Sequence, residues 1–565
     1  MLKRASLLFA IAGFACAHAQ PAAGDKPTHV HAAPAASAAA AIDESKAPLL
    51  DGMGSFHWKI TTSSPLAQRM FDQGMVLAYA FNHAEAARAF RYGARLDPDC
   101  AMCWWGAALV AGPNINAKME DGDAPKAWEA LGKAQAAAAK VSKPERQYIE
   151  SIAPRYAKDN TADRGALDAA YAKAICDLAG TLREDANAQT LCAEAEMDLH
   201  PWDYWDPASG KPREWTPAIL ARLEAVLARD SRHPGANHLY VHAIEASKHP
   251  QRALAAADRL VDLVPGAGHL VHMPSHIYIR VGRYRDASEA NERAIKVDDS
   301  YVAQCREQGI YPLAYKPHNW HFLWAATTFE GRSRRALEAA QRLSDGVADE
   351  KMTCHGFGTL QHYKVTPLYA HVRFGMWDRI LATPAPTDLP YRKAVWRYAQ
   401  GMAHIFTNDL AAAQADLDEL RKLAADAALD EVTIWDINTT RALVAIAVEV
   451  VAGELDAKRK QWPAAIAHLE KAVRLNLELN YNEPADWYYP VRHSLGAVYL
   501  DAKRAKDAER VYREDLADVP NNGYSLFGLA QALRAQGKSR EAAEVDVKFK
   551  EAWRNADHTL ASSRF

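Results

Sequence analysis

Histidines crowd one stretch of this 565-residue chain, from His233 towards Phe329. It reads Asn237-His-Leu-Tyr-Val-His242-Ala-Ile-Glu245, then His269-Leu-Val-His272-Met-Pro-Ser-His276, then Pro317-His318-Asn-Trp-His321. Neutral imidazole is the commonest side-chain ligand of transition metals, and histidines three or four apart on a helix chelate well. Each group precedes a small residue: Ala253, Ala287 or Ala336. His238, His272 and His321 stand 15 residues before that marker, His242 and His276 stand 11 before it, and His269 and His318 stand 18 before it. These offsets differ by three and four, the spacing of one helical face. Neighbouring helices would therefore present imidazoles at equivalent positions, at about the 10 Å separation of packed helices.

The donors would be mostly imidazole, with Glu245 and Met273 as extra candidates and no thiolate. That set suits copper or zinc and disfavours calcium or magnesium. The same face also suits a polar groove for a peptide or protein, or histidines that merely cap and pack, and the residues leave these alternatives open. Pro274 lies within the span where a first helix would run, so it must kink that helix or delay its start. A helix starting at Met273 would leave His269 and His272 on the lead-in loop. Pro317 suits a first turn, which puts His318 and His321 in the opening turn of the next helix. Further groove candidates are His83, Asn114, Met273, His362 (18 residues before Ile380) and Arg492. No Gly-rich phosphate loop, Ser-His-Asp elbow or HExxH is present, so no catalytic residue is assigned.

The elements that must position these side chains read as helices. Ala124–Val141 and Leu410–Ala428 are rich in Ala, Leu, Glu and Lys, and nothing reads as a convincing strand. Gly282-Arg-Tyr-Arg-Asp-Ala287, Gly331-Arg-Ser-Arg-Arg-Ala336 and Gly537-Lys-Ser-Arg-Glu-Ala542 share a turn-then-helix pattern, with looser copies at Gly375 and Asn408. Ala253 to Ala287 is 34 residues, as is Ala508 to Ala542. Gly74, Phe90 and Pro98 stand around Ala86 as Gly496, Tyr512 and Pro520 stand around Ala508. This period and spacing resemble the tetratricopeptide repeat (TPR) over residues 66–555. The resemblance implies an all-α solenoid of stacked antiparallel helix pairs, a right-handed superhelix whose concave groove takes a peptide or protein ligand. Phe81-Asn-His-Ala-Glu-Ala86, Gly112-Pro-Asn-Ile-Asn116 and Met273-Pro-Ser-His-Ile-Tyr278 further resemble a group of exported bacterial TPR proteins, which supplies architecture and no chemistry.

Spacing departs from the repeat in two places, Ala287 to Ala336 and Ala336 to Ile380, marking insertions that hold Cys305, Tyr311 and Tyr315, then Cys354 and His355. The expected organisation is a signal peptide over 1–19, an Ala/Pro-rich disordered linker over 20–48 and TPR-like repeats over 49–142. Divergent helical repeats over 143–232, central His-rich repeats over 233–390 and C-terminal repeats over 391–565 follow. Lys3 and Arg4, the apolar run Ala5–Ala15 and Ala17-His18-Ala19 read as an export signal, giving a periplasmic or secreted protein. No other stretch is apolar enough to span a membrane. Net charge is −3 with no basic stripe, so nucleic-acid binding is not indicated.

Six cysteines follow the signal, at 100, 103, 176, 192, 305 and 354, and an oxidising compartment favours pairing. Cys100-Ala-Met-Cys103 has no second pair at zinc spacing. Cys305 and Cys354, in parallel insertions, are expected to form a disulfide. Peptide mapping without reduction should recover one linked peptide containing both; free alkylation of both thiols in native protein would refute the pairing.

Overall fold

A computed structural model describes residues 46–120, 122–158, 162–305, 315–354 and 356–565, with 301–305 as backbone alone. The export signal, almost all of the linker, Tyr311 and His355 lie outside the described residues, and so does the Cys305 side chain. Two compact units are present. Among the described residues one comprises 46–51 and 56–181, the other 52–55 and 182–565.

In the first unit, six helices follow one another: Pro65–Tyr79, His83–Leu96, Ala101–Leu109, Asp123–Ala137, Lys143–Ile152 and Arg164–Thr181. Each packs on its neighbour in the chain. Their starts are written locally. Ser64 and Asn82 accept from the backbone N–H of Ala67 and Glu85, and Ser142 with Glu145 forms a reciprocal capping box. Between the pairs, an aromatic ring fills the space left by two glycines. A Cβ on Gly74 would stand 2.6 Å from the Phe90 ring, and one on Gly106 would stand 2.5 Å from it. Cys100 and Cys103 are joined by a disulfide at the start of the Ala101–Leu109 helix.

The second unit repeats that construction. Tyr512 lies against Gly496 and Gly528, where added Cβ atoms would come within 2.4 and 2.2 Å of its ring. The turn glycines Gly282, Gly331, Gly375 and Gly537 all have positive φ, as does Asn408. Each ends a helix in the left-handed conformation, and the next N–H reaches back five residues. Arg283 N donates to Tyr278 O at 2.8 Å and Arg332 N to Thr327 O at 3.0 Å. The markers Ala253, Ala287, Ala336, Ala508 and Ala542 are buried. Helices pack on their chain neighbours, and alternate ones also touch, as Lys316–Phe329 does Gly358–Arg373. The chain is thus an all-α succession of packed helix pairs that resembles TPR proteins. Among the described residues the strands are the two-residue Thr433–Ile434 and Asn438–Thr439, paired antiparallel. No helix among the described residues is long and apolar enough to cross a membrane.

Glycine therefore matters where a neighbouring group packs close or a turn needs it. Gly74→Ala should destabilise the protein by about 1–3 kcal/mol through overpacking against Phe90. Gly132→Ala, on the exposed face of Asp123–Ala137 with no heavy atom within 4 Å of its Cβ, should stabilise it by about 0.4–1 kcal/mol. Urea denaturation measures both, and equal effects would contradict the packing described.

Candidate metal centre

Four helices and one loop of the second unit carry the cluster. His233 starts the Pro234–Glu245 helix, its Nδ1 accepting from Ala236 N at 3.1 Å, with Pro234 in the first turn. His238, His242 and Glu245 follow along one side. The next first helix is broken in two, Gly268–His272 and Pro274–Arg280, because Pro274 has no N–H and its ring displaces the preceding turn. His269 and His272 are helical residues before the break and His276 follows it, so they are not on a lead-in loop. Met273 is buried at the break. Lys316–Phe329 begins with Pro317 in its first turn, placing His318 and His321 as its spacing predicts. The loop between Trp462–Glu478 and Arg492–Asp501 adds Glu483.

The offsets interlock between repeats. The histidine 15 residues before one marker meets the histidine 18 before the next. His238 Nε2 is 3.1 Å from His269 Nε2, the His272 and His318 ring centres are 5.0 Å apart, and those of His321 and His362 are 5.6 Å apart. His242 and His276, at the remaining offset, flank Glu245. Glu245 Oε1 accepts from His242 Nδ1 at 3.1 Å, and Oε2 lies 2.7 Å from His276 Nδ1. Glu483 Oε2 lies 3.0 Å from the same Nδ1. At its other nitrogen, His276 Nε2 is 2.8 Å from His272 Nε2.

Three groups result: His238–His242–His269, His272–His276–His318 and Glu245–His276–Glu483. Within each, the donor atoms lie within 4.8 Å of one another. A tetrahedral ion with bonds of about 2.0–2.1 Å spaces its donors at about 3.3 Å, so the closest pairs, at 2.8 and 3.1 Å, already stand near that spacing and the wider ones would close towards it. His321 pairs with His362 instead of joining these groups, and its ring stacks on Trp324 at 5.4 Å.

Hydrogen bonds around the cluster set its tautomers. Asn291 donates through Nδ2 to Ala287 O at 2.7 Å, which turns its Oδ1 to accept from His272 Nδ1, also at 2.7 Å. The lone pair of His272 is thereby fixed on Nε2, facing His276. Such an outer partner is the usual device for orienting a metal-binding imidazole. Burial holds His269, His272 and His321 well below the ordinary imidazole pKa, and neighbouring histidines add to the effect. His362 is pushed down to about 3 by burial alone. Burial also opposes charge on His276, but the Glu245 and Glu483 carboxylates outweigh it and raise its pKa. Glu245 is lowered: burial works against its charge, and His276 and His242 overcome it. Glu483 is raised by burial.

Glu483 is the donor that repeat spacing misses. It lies in Tyr481-Asn-Glu483-Pro-Ala-Asp486, a polar interruption just ahead of Trp487-Tyr-Tyr489. Asn291 was missed for a similar reason, sitting on the second helix of its pair, Tyr284–Cys305. His83 and Asn114 come together in the first unit, at 3.4 Å. Arg492 is held by Asp518 at 2.6 Å. All the histidines of the first group, with His272, His276 and Glu245, are buried, whereas a groove-lining stripe would be exposed.

No family model matches this chain, and no curated protein does either. Among solved structures it is similar to the APC/C hetero-tetramer Cut9–Hcn1, at 13% identity over 87% of this chain and 74% of that one, with a TM-score of 0.28. It is also similar to a human IFIT1 dimer with m7Gppp-AAAA, at 12% identity over 88% of this chain and 91% of that one, with a TM-score of 0.29. The helix-pair architecture rests on the chain's own packing and not on those superpositions.

A pH dependence follows from the buried imidazoles. His269, His272, His321 and His362 stay neutral in the fold but take up protons on unfolding below their ordinary pKa of about 6.5. The unfolded state then binds more protons, so stability falls as pH falls, by about 1.4 kcal/mol per pH unit for each. His276 works the other way, its ion pair being lost only as pH rises through its raised value. Urea unfolding of metal-free protein between about pH 6.5 and 5 should show this slope, and His321→Gln should reduce it. An unchanged slope in that variant would contradict the buried neutral imidazole.

Proposed function

We propose that this is an exported helical-repeat protein whose interior holds a copper or zinc centre in the His238–His321 stretch. The observation that carries the reading is the convergence of three neighbouring donor groups from successive repeats and one loop, with His276 common to two of them. Histidines used only for packing would be satisfied singly by backbone or side-chain partners. Here imidazole nitrogens face one another at 2.8 and 3.1 Å, and a carboxylate serves two of the rings. Gathering so many titratable groups in a dry interior is costly unless charges and lone pairs meet a common partner.

Each residue then has a task. Asn291 orients His272, Glu245 orients His242 while offering its second oxygen at His276, and Phe322 meets His272 edge-on and His276 at a tilt, at 4.7 and 4.6 Å, keeping water away. An ion held by three protein donors keeps a position for water or a small ligand, the arrangement of ions that polarise or activate what they bind. A groove-bound peptide would need exposed side chains, and those of the cluster are buried except for the half-buried His318. Export is supported by the N-terminal sequence and by the disulfide-bonded state of Cys100, Cys103, Cys176, Cys192 and Cys354, which suits an oxidising compartment.

His242→Ala and His276→Ala should lose metal with helicity nearly unchanged by circular dichroism, while His558→Ala should do neither. Asn291→Leu, which removes only the outer partner of His272, should lower affinity about 10–100-fold. Equilibrium dialysis against copper and zinc measures all four. His242→Ala and His276→Ala variants that retain metal as the unaltered protein does would overturn the assignment.

A further inference from the structure

Resting on that reading, the geometry points to His276 as a bridging ligand that joins two metal ions through opposite nitrogens of one ring. Its Nε2 belongs with His272 and His318, and its Nδ1 with Glu245 and Glu483. A histidine that serves one ion normally donates its other N–H to a carboxylate, carbonyl or water. His276 instead has two carboxylates at Nδ1 and an imidazole at Nε2. Glu245 Oε2 and Glu483 Oε2 lie 2.7 and 3.0 Å from Nδ1. One N–H needs a single acceptor, whereas this nitrogen has two carboxylates at contact distance, a donor set that could hold an ion.

The opposite side of the ring is equally committed. Because Asn291 fixes the proton of His272 on Nδ1, His272 Nε2 offers a lone pair towards His276 Nε2. Without metal, that contact takes a proton from His276, and the Nδ1 side takes another between the carboxylates, so the ring is an imidazolium. Two divalent ions replace those two protons, one at each nitrogen, and both protons leave to solvent. The ring becomes imidazolate, and its charge with those of Glu245 and Glu483 offsets most of the charge of the two ions. One ion then has His272, His276 and His318 as ligands, the other His276, Glu245 and Glu483. No oxidant or reductant is involved.

The experiment uses the full metal-free chain loaded with copper(II) and freed of excess by gel filtration, with copper per chain and the integrated electron paramagnetic resonance signal measured on one sample. Coupling through the bridge should remove about two of the bound coppers from the low-temperature signal. In His276→Gln the remaining copper should be fully visible. Glu483→Gln, nearly isosteric and so less demanding of the fold, should lose one copper and restore the signal of the other. A spin count equal to the copper count in unaltered protein overturns the bridge and leaves the metal centre standing, and so does coupling that persists in His276→Gln. Failure to retain two coppers in this cluster also overturns the bridge. Retention of neither copper nor zinc overturns the metal centre with it.

Discussion

A charged group taken out of water must meet opposite charge at contact distance, and in this protein that demand converges on Glu245. Its carboxylate is buried, touches His242 with one oxygen and reaches His276 with the other. Removing one member of such a buried set typically costs about 3–5 kcal/mol, because the other is left uncompensated. The requirement ties the end of one first helix to the middle of the next. It also fixes the loop that brings Glu483 to His276, far along the chain. The break at Pro274 has a use in this light. It separates the turns carrying His272 and His276, whose imidazoles nevertheless meet at 2.8 Å.

Close helix packing makes that juxtaposition possible. Imidazoles from adjacent repeats reach one another only because small residues let the helices approach: buried Ala287 and Ala336 behind the histidine-bearing helices, and glycines under the Phe90 and Tyr512 rings elsewhere. The left-handed turn glycines hold each pair at a fixed phase, so an offset in the sequence becomes a position in space. A solenoid that repeats a histidine at one offset thereby repeats it in a row. Three neighbouring pairs, His238–His269, His272–His318 and His321–His362, are that row.

Much of this was legible in the residues. Period, turn glycines and marker alanines specify helix pairs, and the shared offsets announce that the histidines come together. What the offsets did not carry is which repeat's histidine meets which. The contact runs from one offset to a different offset in the next repeat, so His321 falls to His362 and not to the main groups. Burial was also hidden: periodicity names a face but not what covers it, and Phe322 with the loop around Glu483 closes over this one. Glu483 belongs to no repeat position and therefore gives no periodic signal. Arg492, though close in sequence to that loop, is taken up by Asp518.

The account stands or falls on whether these side chains hold an ion. The most direct measurement is the metal content of untagged protein, purified after expression with copper and with zinc, by mass spectrometry of the elements. The account predicts at least about one ion per chain that survives gel filtration and leaves on acidification, when the histidine ligands take up protons. Less than roughly a tenth of an ion per chain under both conditions would contradict it, since a site of this many convergent donors should fill.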